Sequence, residues 1–128
     1  MCGIVCAFDI KSNSDFVRSN VLKMAKKVRH RGPDWSGIYS DNNAVLAHER
    51  LAIVDPTSGK QPIISDDGNK VIAVNGEIYN HVQLRDLLTL KGHKFKSDHS
   101  DTETIVNGFL EWGSDVFNKL EGMFAIAI

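Results

Sequence analysis

The sequence predicts an α+β fold, layered, with amphipathic helices packed outside sheets. Two observations predict it. Short apolar runs, residues 2–9 (CGIVCAFD) and 123–128 (MFAIAI) among them, have the length of buried strands. Other segments repeat their apolar residues at helical spacing, and these helices are segregated from the strands, as in layered α+β domains.

Taken in order, residues 2–9 form a strand with two apolar faces. Cys2, Ile4, Cys6 and Phe8 point one way and Gly3, Val5 and Ala7 the other, as in a strand covered on both sides. Asn13 or Ser14 caps a helix whose Val17, Val21, Met24, Ala25 and Val28 make one stripe, and Gly32-Pro33 ends it. The run 35–40 and the run 44–55 read as strands, the second interrupted by His48-Glu49-Arg50. Residues 56–69, with two prolines and two glycines, read as a loop. Lys70 to Val74 is a strand that Asn75-Gly76 ends sharply. A helix from Asn80 turns Leu84, Leu87 and Leu88 to one side and stops at Gly92. Ser100 and Glu103 fit a capping box for a last helix bearing Ile105, Val106, Phe109 and Trp112. The run 123–128 ends the chain inside a buried-looking strand, which would leave an exposed edge, so the sequence reads as a fragment truncated at its C-terminus.

Composition excludes several function classes. At 128 residues this is one domain or most of one. Fifteen Lys and Arg against sixteen Asp and Glu leave a net charge of -1, which gives no electrostatic reason to expect nucleic acid or a membrane surface. The basic run Lys26 to Arg31 complements the negative end of a helix dipole. No apolar run approaches the roughly 20 residues of a membrane span, and the acidic Asp9 near the start does not suit a secretory signal, so the cytoplasm is the expected compartment. Cys2 and Cys6, four apart on one strand, have Cα atoms about 13 Å apart, too far for a disulfide.

Cys2 holds a chemically special position. Removal of Met1 leaves a chain that begins with a thiol and a free α-amine on the same residue. An unperturbed thiol titrates near about 8.5 and an α-amine near about 7.7–8.0. The amine is therefore suited to take the thiol's proton, and one residue supplies both nucleophile and base. Position alone is a weak signal, since cysteine is often a small buried hydrophobe.

Downstream segments strengthen it. The start Met1-Cys2-Gly3-Ile4-Val5 resembles that of class II glutamine amidotransferases, the N-terminal-nucleophile hydrolases. In the right order follow Arg29 to Gly37 (RHRGPDWSG), His48 to Asp55 (HERLAIVD), Asn75 to Asn80 (NGEIYN) and Ser100 to Glu103 (SDTE). Met123-Phe124-Ala125 after Gly122 also resembles a core strand of that class. Within the class, RGPD followed by HERLAIVD and NGEIYN is similar to the asparagine synthetases. Residues 2–128 are thereby identified as the N-terminal part of a type 2 glutamine amidotransferase domain. The resemblance implies a four-layer α/β/β/α sandwich of two antiparallel sheets, with Cys2 at the end of a central strand between them.

The resemblance also implies roles. Cys2 attacks the carboxamide carbon of L-glutamine to give a thioester and ammonia, and water then releases glutamate. Asn75 and Gly76 supply the oxyanion hole. Arg50, through its planar fork, clamps the α-carboxylate. Asp101, assisted by Glu77, meets the α-ammonium, and Leu51, Ala52, Ile53 and Val54 line the pocket. Read singly, Asn75-Gly76 is a hairpin signal, Arg50 an edge-strand solubiliser and Asp101 part of an acidic first helical turn. Arg29, His30 and Arg31 resemble a loop-positioning stretch rather than catalytic groups. Cys6 stands where the family more often has a smaller residue.

The implied partners are L-glutamine and a synthetase domain in cis, with a homodimer left open. No cofactor is expected in this domain; ATP and magnesium are expected on the absent synthetase domain, which uses the ammonia to make asparagine from aspartate. Thr57-Ser58-Gly59-Lys60 lacks the frame of a phosphate loop. A metal site built from Cys2, Cys6, His93 and His99 lacks usual zinc spacing, so no metal is expected. The alternatives are a non-catalytic amidotransferase-like fragment and the glutaminase domain of another class II amidotransferase.

Overall fold

The described residues, 2–52, 59–97 and 99–128 of a computed structural model, build two antiparallel sheets. The elements run β1 (Gly3–Phe8), α1 (Ser14–Val28), β2 (Trp35–Ser40), β3 (Ala44–Arg50), β4 (Ile63–Ile64), β5 (Val71–Ile78), α2 (His81–Leu90), α3 (Asp101–Trp112) and β6 (Gly122–Ala127). One sheet has the order β1-β3-β2 and the other β4-β5-β6.

Alternation along the strands assigns each face. Val5 and Ala7 of β1, Val45 and Ala47 of β3 and Ile38 of β2 pack with Val21 and Ala25 of α1. The opposite face, bearing Cys2, Ile4, Leu46 and His48, meets the second sheet, whose β5 packs against β1 and β3. On the far side of the second sheet, Ile72, Val74 and Ile78 of β5 pack with Leu84 of α2 and Ile105 and Val106 of α3. The layers are therefore helix, sheet, sheet, helix, as the resemblance implied. Among the described residues β3 is the central strand of the first sheet. Cys2 precedes β1, which lies at the edge of this sheet among the described residues.

Local chemistry explains most boundaries. Asn13 Oδ1 accepts from Phe16 N–H at 2.9 Å and caps α1. The α-helix ends at Val28, and a 3₁₀ turn at Arg29–Arg31 leads to Gly32. Two residues expected on buried stripes lie outward: Met24 is 56% and Leu87 51% exposed, each flanking a stripe narrowed to the residues that face a sheet or a neighbouring helix.

Three boundaries differ from expectation. β3 stops at Arg50, and the residues that would extend it past Ala52, including Ile53 and Val54, lie outside the described residues. The loop expected over 56–69 contains β4, which pairs Ile63 with Ile72 and Ile64 with Val71. Asn75-Gly76 does not end β5 and is no hairpin turn. The strand runs on to Ile78, because β6 pairs along it, with Asn75 opposite Ala125 and Gly76 opposite Phe124. Gly76 adopts φ +152°, and a Cβ there would lie 2.1 Å from the Met123 carbonyl oxygen, so the position requires glycine.

The capping box forms by half. Ser100 Oγ accepts from Glu103 N–H at 3.3 Å. The Glu103 carboxylate turns instead to the preceding loop and accepts from Lys96 N–H (2.7 Å), Ser97 N–H (2.9 Å) and Ser97 Oγ (2.6 Å).

Candidate active site

Cys2 lies where the start of β1 meets the end of β3. Its Sγ is 3.4 Å from Leu51 N and 4.0 Å from Leu51 O, so the sulfur sits against that residue's main chain. The Cys2 carbonyl accepts from Arg31 Nε at 3.0 Å. Arg31 thus anchors the first residue's main chain, in keeping with the positioning role implied for its stretch.

Leu51 connects the sulfur to a cavity of about 380 Å³ lined by Asp34, Trp35, Arg50, Ala52 and Lys60. Arg50 ends β3, and its partner across the sheet is Trp35. Asp34 ties the cavity's wall together: its N–H donates to Arg50 O at 3.0 Å, and its Oδ2 accepts from Ala52 N–H at 2.8 Å. Lys60 Nζ stands 4.9 Å from the Trp35 ring centroid, a cation–π distance. Among the described residues the charged lining is Arg50 and Lys60 beside Asp34. Asp34, Trp35 and Lys60 were not among the expected site residues. The first two fall inside the RGPDW stretch, which could have pointed to them.

The second half of the site is on β5. Asn75 belongs to the face turned toward the first sheet. Among the described residues its Oδ1 is buried without a hydrogen-bond partner. Gly76 and Glu77 are exposed. Asp101, at the first turn of α3, reaches back to this strand: its Oδ2 accepts from Ile78 N–H at 3.0 Å and its Oδ1 from the Thr102 hydroxyl at 3.3 Å. Asn75, Gly76, Glu77 and Asp101 thus gather at one end of β5. They do not line the cavity around Arg50.

His48 joins the halves. This fully buried histidine donates from Nε2 to the Val74 carbonyl at 2.9 Å, bridging β3 and β5. Burial holds its basicity below the usual imidazole value. The neighbouring Glu49, 5% exposed, points to the other face. Its Oε2 accepts from Ser36 Oγ (2.5 Å) and Arg29 Nη1 (3.2 Å), which fixes the 3₁₀ turn ahead of Gly32.

Both cysteines are free, and burial pushes the Cys6 thiol up to about 11. Among the described residues no three His, Cys, Asp or Glu side chains come together in a way that could hold a metal ion. His93 Nε2 instead meets Glu111 Oε2 at 2.9 Å. No helix among the described residues is long and apolar enough to cross a membrane.

A family model described as a glutamine amidotransferase domain matches residues 1–128. The whole chain is 46% identical to glutamine-hydrolyzing asparagine synthetase 2 of Oryza sativa subsp. japonica, covering 21% of that protein. It is likewise 46% identical to the glutamine-hydrolyzing asparagine synthetase 3 of Arabidopsis thaliana, covering 22%, and to asparagine synthetase B of Escherichia coli K12, covering 23%. The chain thus spans about a fifth of the length of the curated relatives it matches.

Proposed function

Because this chain belongs to the glutamine amidotransferase domain family, we propose that it performs the glutaminase half-reaction of an asparagine synthetase, with Cys2 as nucleophile. The observation that supports this most is the Cys2 sulfur against Leu51, between Arg50 and Ala52 of the cavity wall. The proposed nucleophile is thereby one residue from a pocket whose described lining includes the guanidinium of Arg50, a group able to meet a carboxylate.

After Met1 is removed, the α-amine of Cys2 takes the thiol proton. The sulfur attacks the carboxamide carbon of L-glutamine, and the carbonyl oxygen gains the negative charge. Asn75 Nδ2–H and Gly76 N–H donate to that oxygen; one such donor is worth about 2.7–4 kcal/mol of barrier. Collapse breaks the C–N bond, and the nitrogen leaves as ammonia with the proton held on the α-amine. Water then adds to the thioester, the thiolate leaves, and glutamate is released. Met1 itself lies outside the described residues.

Arg50 grips the α-carboxylate through its fork, with Leu51 and Ala52 beside it; Ile53 and Val54, the other expected lining residues, lie outside the described residues. Asp101 and Glu77 receive the α-ammonium. In this reading the ammonia serves ATP-dependent synthesis of asparagine from aspartate on a synthetase domain in cis. ATP and magnesium belong to that domain. The cytoplasm is the expected setting.

The experiment is a glutaminase assay on the full-length protein and its Cys2→Ala variant. Glutamate formed by the first and not the second supports the reading; equal rates overturn it.

A further inference from the structure

The edge of β5 that faces β4 is assembled from unlike pieces. Odd-numbered residues of this segment turn their main-chain groups to the β6 side, as Tyr79 N–H does in donating to Glu121 O at 2.7 Å. Even-numbered residues turn theirs to the other edge. There Ile72 is opposite Ile63, and β4 ends within two residues. The Val74 N–H donates to Gln61 Oε1 at 2.6 Å, and its carbonyl accepts from His48 Nε2 at 2.9 Å. Ile78 N–H donates to Asp101 Oδ2 at 3.0 Å. Gly76 lies between Val74 and Ile78. By the same alternation the Gly76 N–H belongs to this edge.

We propose that Gln61 and His48 are positioning residues whose side chains clamp the Val74 peptide groups and so aim the oxyanion donors of Asn75 and Gly76. The inference rests on the glutaminase reading above. Two side chains take the place of a continued strand, so Val74 is held on this edge beside the next N–H along it, that of Gly76. The Val74 carbonyl and the Asn75 N–H belong to one planar peptide unit. His48 therefore fixes the plane from which the Asn75 side chain projects.

Two further observations carry the same point. Gln61 reaches Val74 because its backbone lies directly on the first sheet: a Cβ on Gly37 would come 1.8 Å from the Gln61 carbonyl oxygen. The glycine of the WSG stretch is thus the seat for Gln61. His48 is fully buried with Nδ1 unpartnered among the described residues, a costly arrangement for a residue that only fills space. The bond from Nε2 to Val74 accounts for the imidazole.

The test uses the full-length protein. Gln61→Met removes the acceptor at similar size, and Gln61→Glu keeps one. Deleting an oxyanion donor outright lowers kcat about 100-fold or more, so a displaced donor is expected to lower it about tenfold. Gln61→Met should lose that tenfold in kcat while KM for L-glutamine stays within about twofold, and Gln61→Glu should recover most of it. Glutamate γ-semialdehyde gives a second readout. The Cys2 sulfur adds to its aldehyde carbon, the thiol proton passes to the α-amine, and the new oxyanion occupies the proposed hole. Its inhibition constant should rise in parallel with the loss of kcat.

Unchanged kcat and unchanged semialdehyde affinity in Gln61→Met overturn the clamp. So does a loss that falls on KM alone. Should Gln61→Met not fold, His48→Met against His48→Gln, which keeps a side-chain N–H donor, makes the same comparison from the carbonyl side. A wild-type protein without glutaminase activity overturns the underlying reading instead, so the two failures are distinguishable.

Discussion

His48 of β3 donates from Nε2 to the Val74 carbonyl of β5 at 2.9 Å, and this bond ties the strand that ends in Arg50 to the strand that carries Asn75. A carbonyl only accepts, so Nε2 carries the proton. The buried Nδ1 has no partner among the described residues, and burial disfavours the charged ring.

Stability should fall in mild acid because of this ring. Burial lowers its proton affinity when folded, whereas the unfolded chain protonates it near the ordinary value of about 6.5. The unfolded state therefore binds more protons as pH drops below that value. Its contribution is fully present above about pH 7 and is lost toward the lower folded value. Urea denaturation at about pH 7.5 and pH 5.5 should show this loss in the wild type and a smaller one in His48→Gln; equal pH dependence in both contradicts it.

The two cysteines should differ in reactivity. The Cys6 thiol, pushed up to about 11 by burial, is roughly one part in a thousand thiolate near pH 8. Iodoacetamide should therefore label the N-terminal peptide at Cys2 and spare Cys6. Peptide mapping by mass spectrometry reads this directly, and prompt labelling of Cys6 contradicts it.

Asp101 has two separable tasks. Its Oδ2 accepts from Ile78 N–H, while the proposed grip on the substrate's ammonium needs its charge. Asp101→Asn keeps an acceptor and removes the charge. The thermal midpoint should stay within a few degrees, while KM for glutamine rises about tenfold or more, since hydrogen bonds to charged groups contribute about 1.5–3 kcal/mol. A large fall in stability with unchanged KM would assign Asp101 to the fold alone.

Arg29→Ala should destabilise the protein modestly. It leaves the Glu49 carboxylate, 5% exposed, with Ser36 as its remaining described partner. The Arg29 side chain is half exposed, so the loss should be near the low end of about 1–3 kcal/mol. Urea denaturation measures it, and no change contradicts the account of the buried carboxylate.

Periodicity made the helices and most strands legible, because Val21, Ala25, Leu84, Leu88, Ile105 and Val106 repeat at the spacing that one buried face requires. It misread β5 at Asn75-Gly76. Locally that pair favours a turn, yet pairing with β6, about 50 residues later, overrides the local signal. The Glu103 carboxylate was likewise drawn from its capping role to the 96–97 backbone by tertiary contacts.

The candidate site was legible only in part. Ordered motifs pointed to Cys2, Arg50, Asn75, Gly76 and Asp101, since chemistry demands particular side chains there. They included His48 only as the start of HERLAIVD, with no role, and did not point to Gln61 or Lys60; the parts of all three depend on partners far along the chain: Val74 for Gln61 and His48, Trp35 for Lys60. Such contacts leave no periodic trace.

The central claim is most directly tested by mass spectrometry of the full-length protein, quenched in acid during turnover with L-glutamine. The account predicts an N-terminal peptide that begins at Cys2, a fraction of it carrying a glutamyl thioester on that residue. Glutamate released by protein that retains Met1, or by the Cys2→Ala variant, would contradict it.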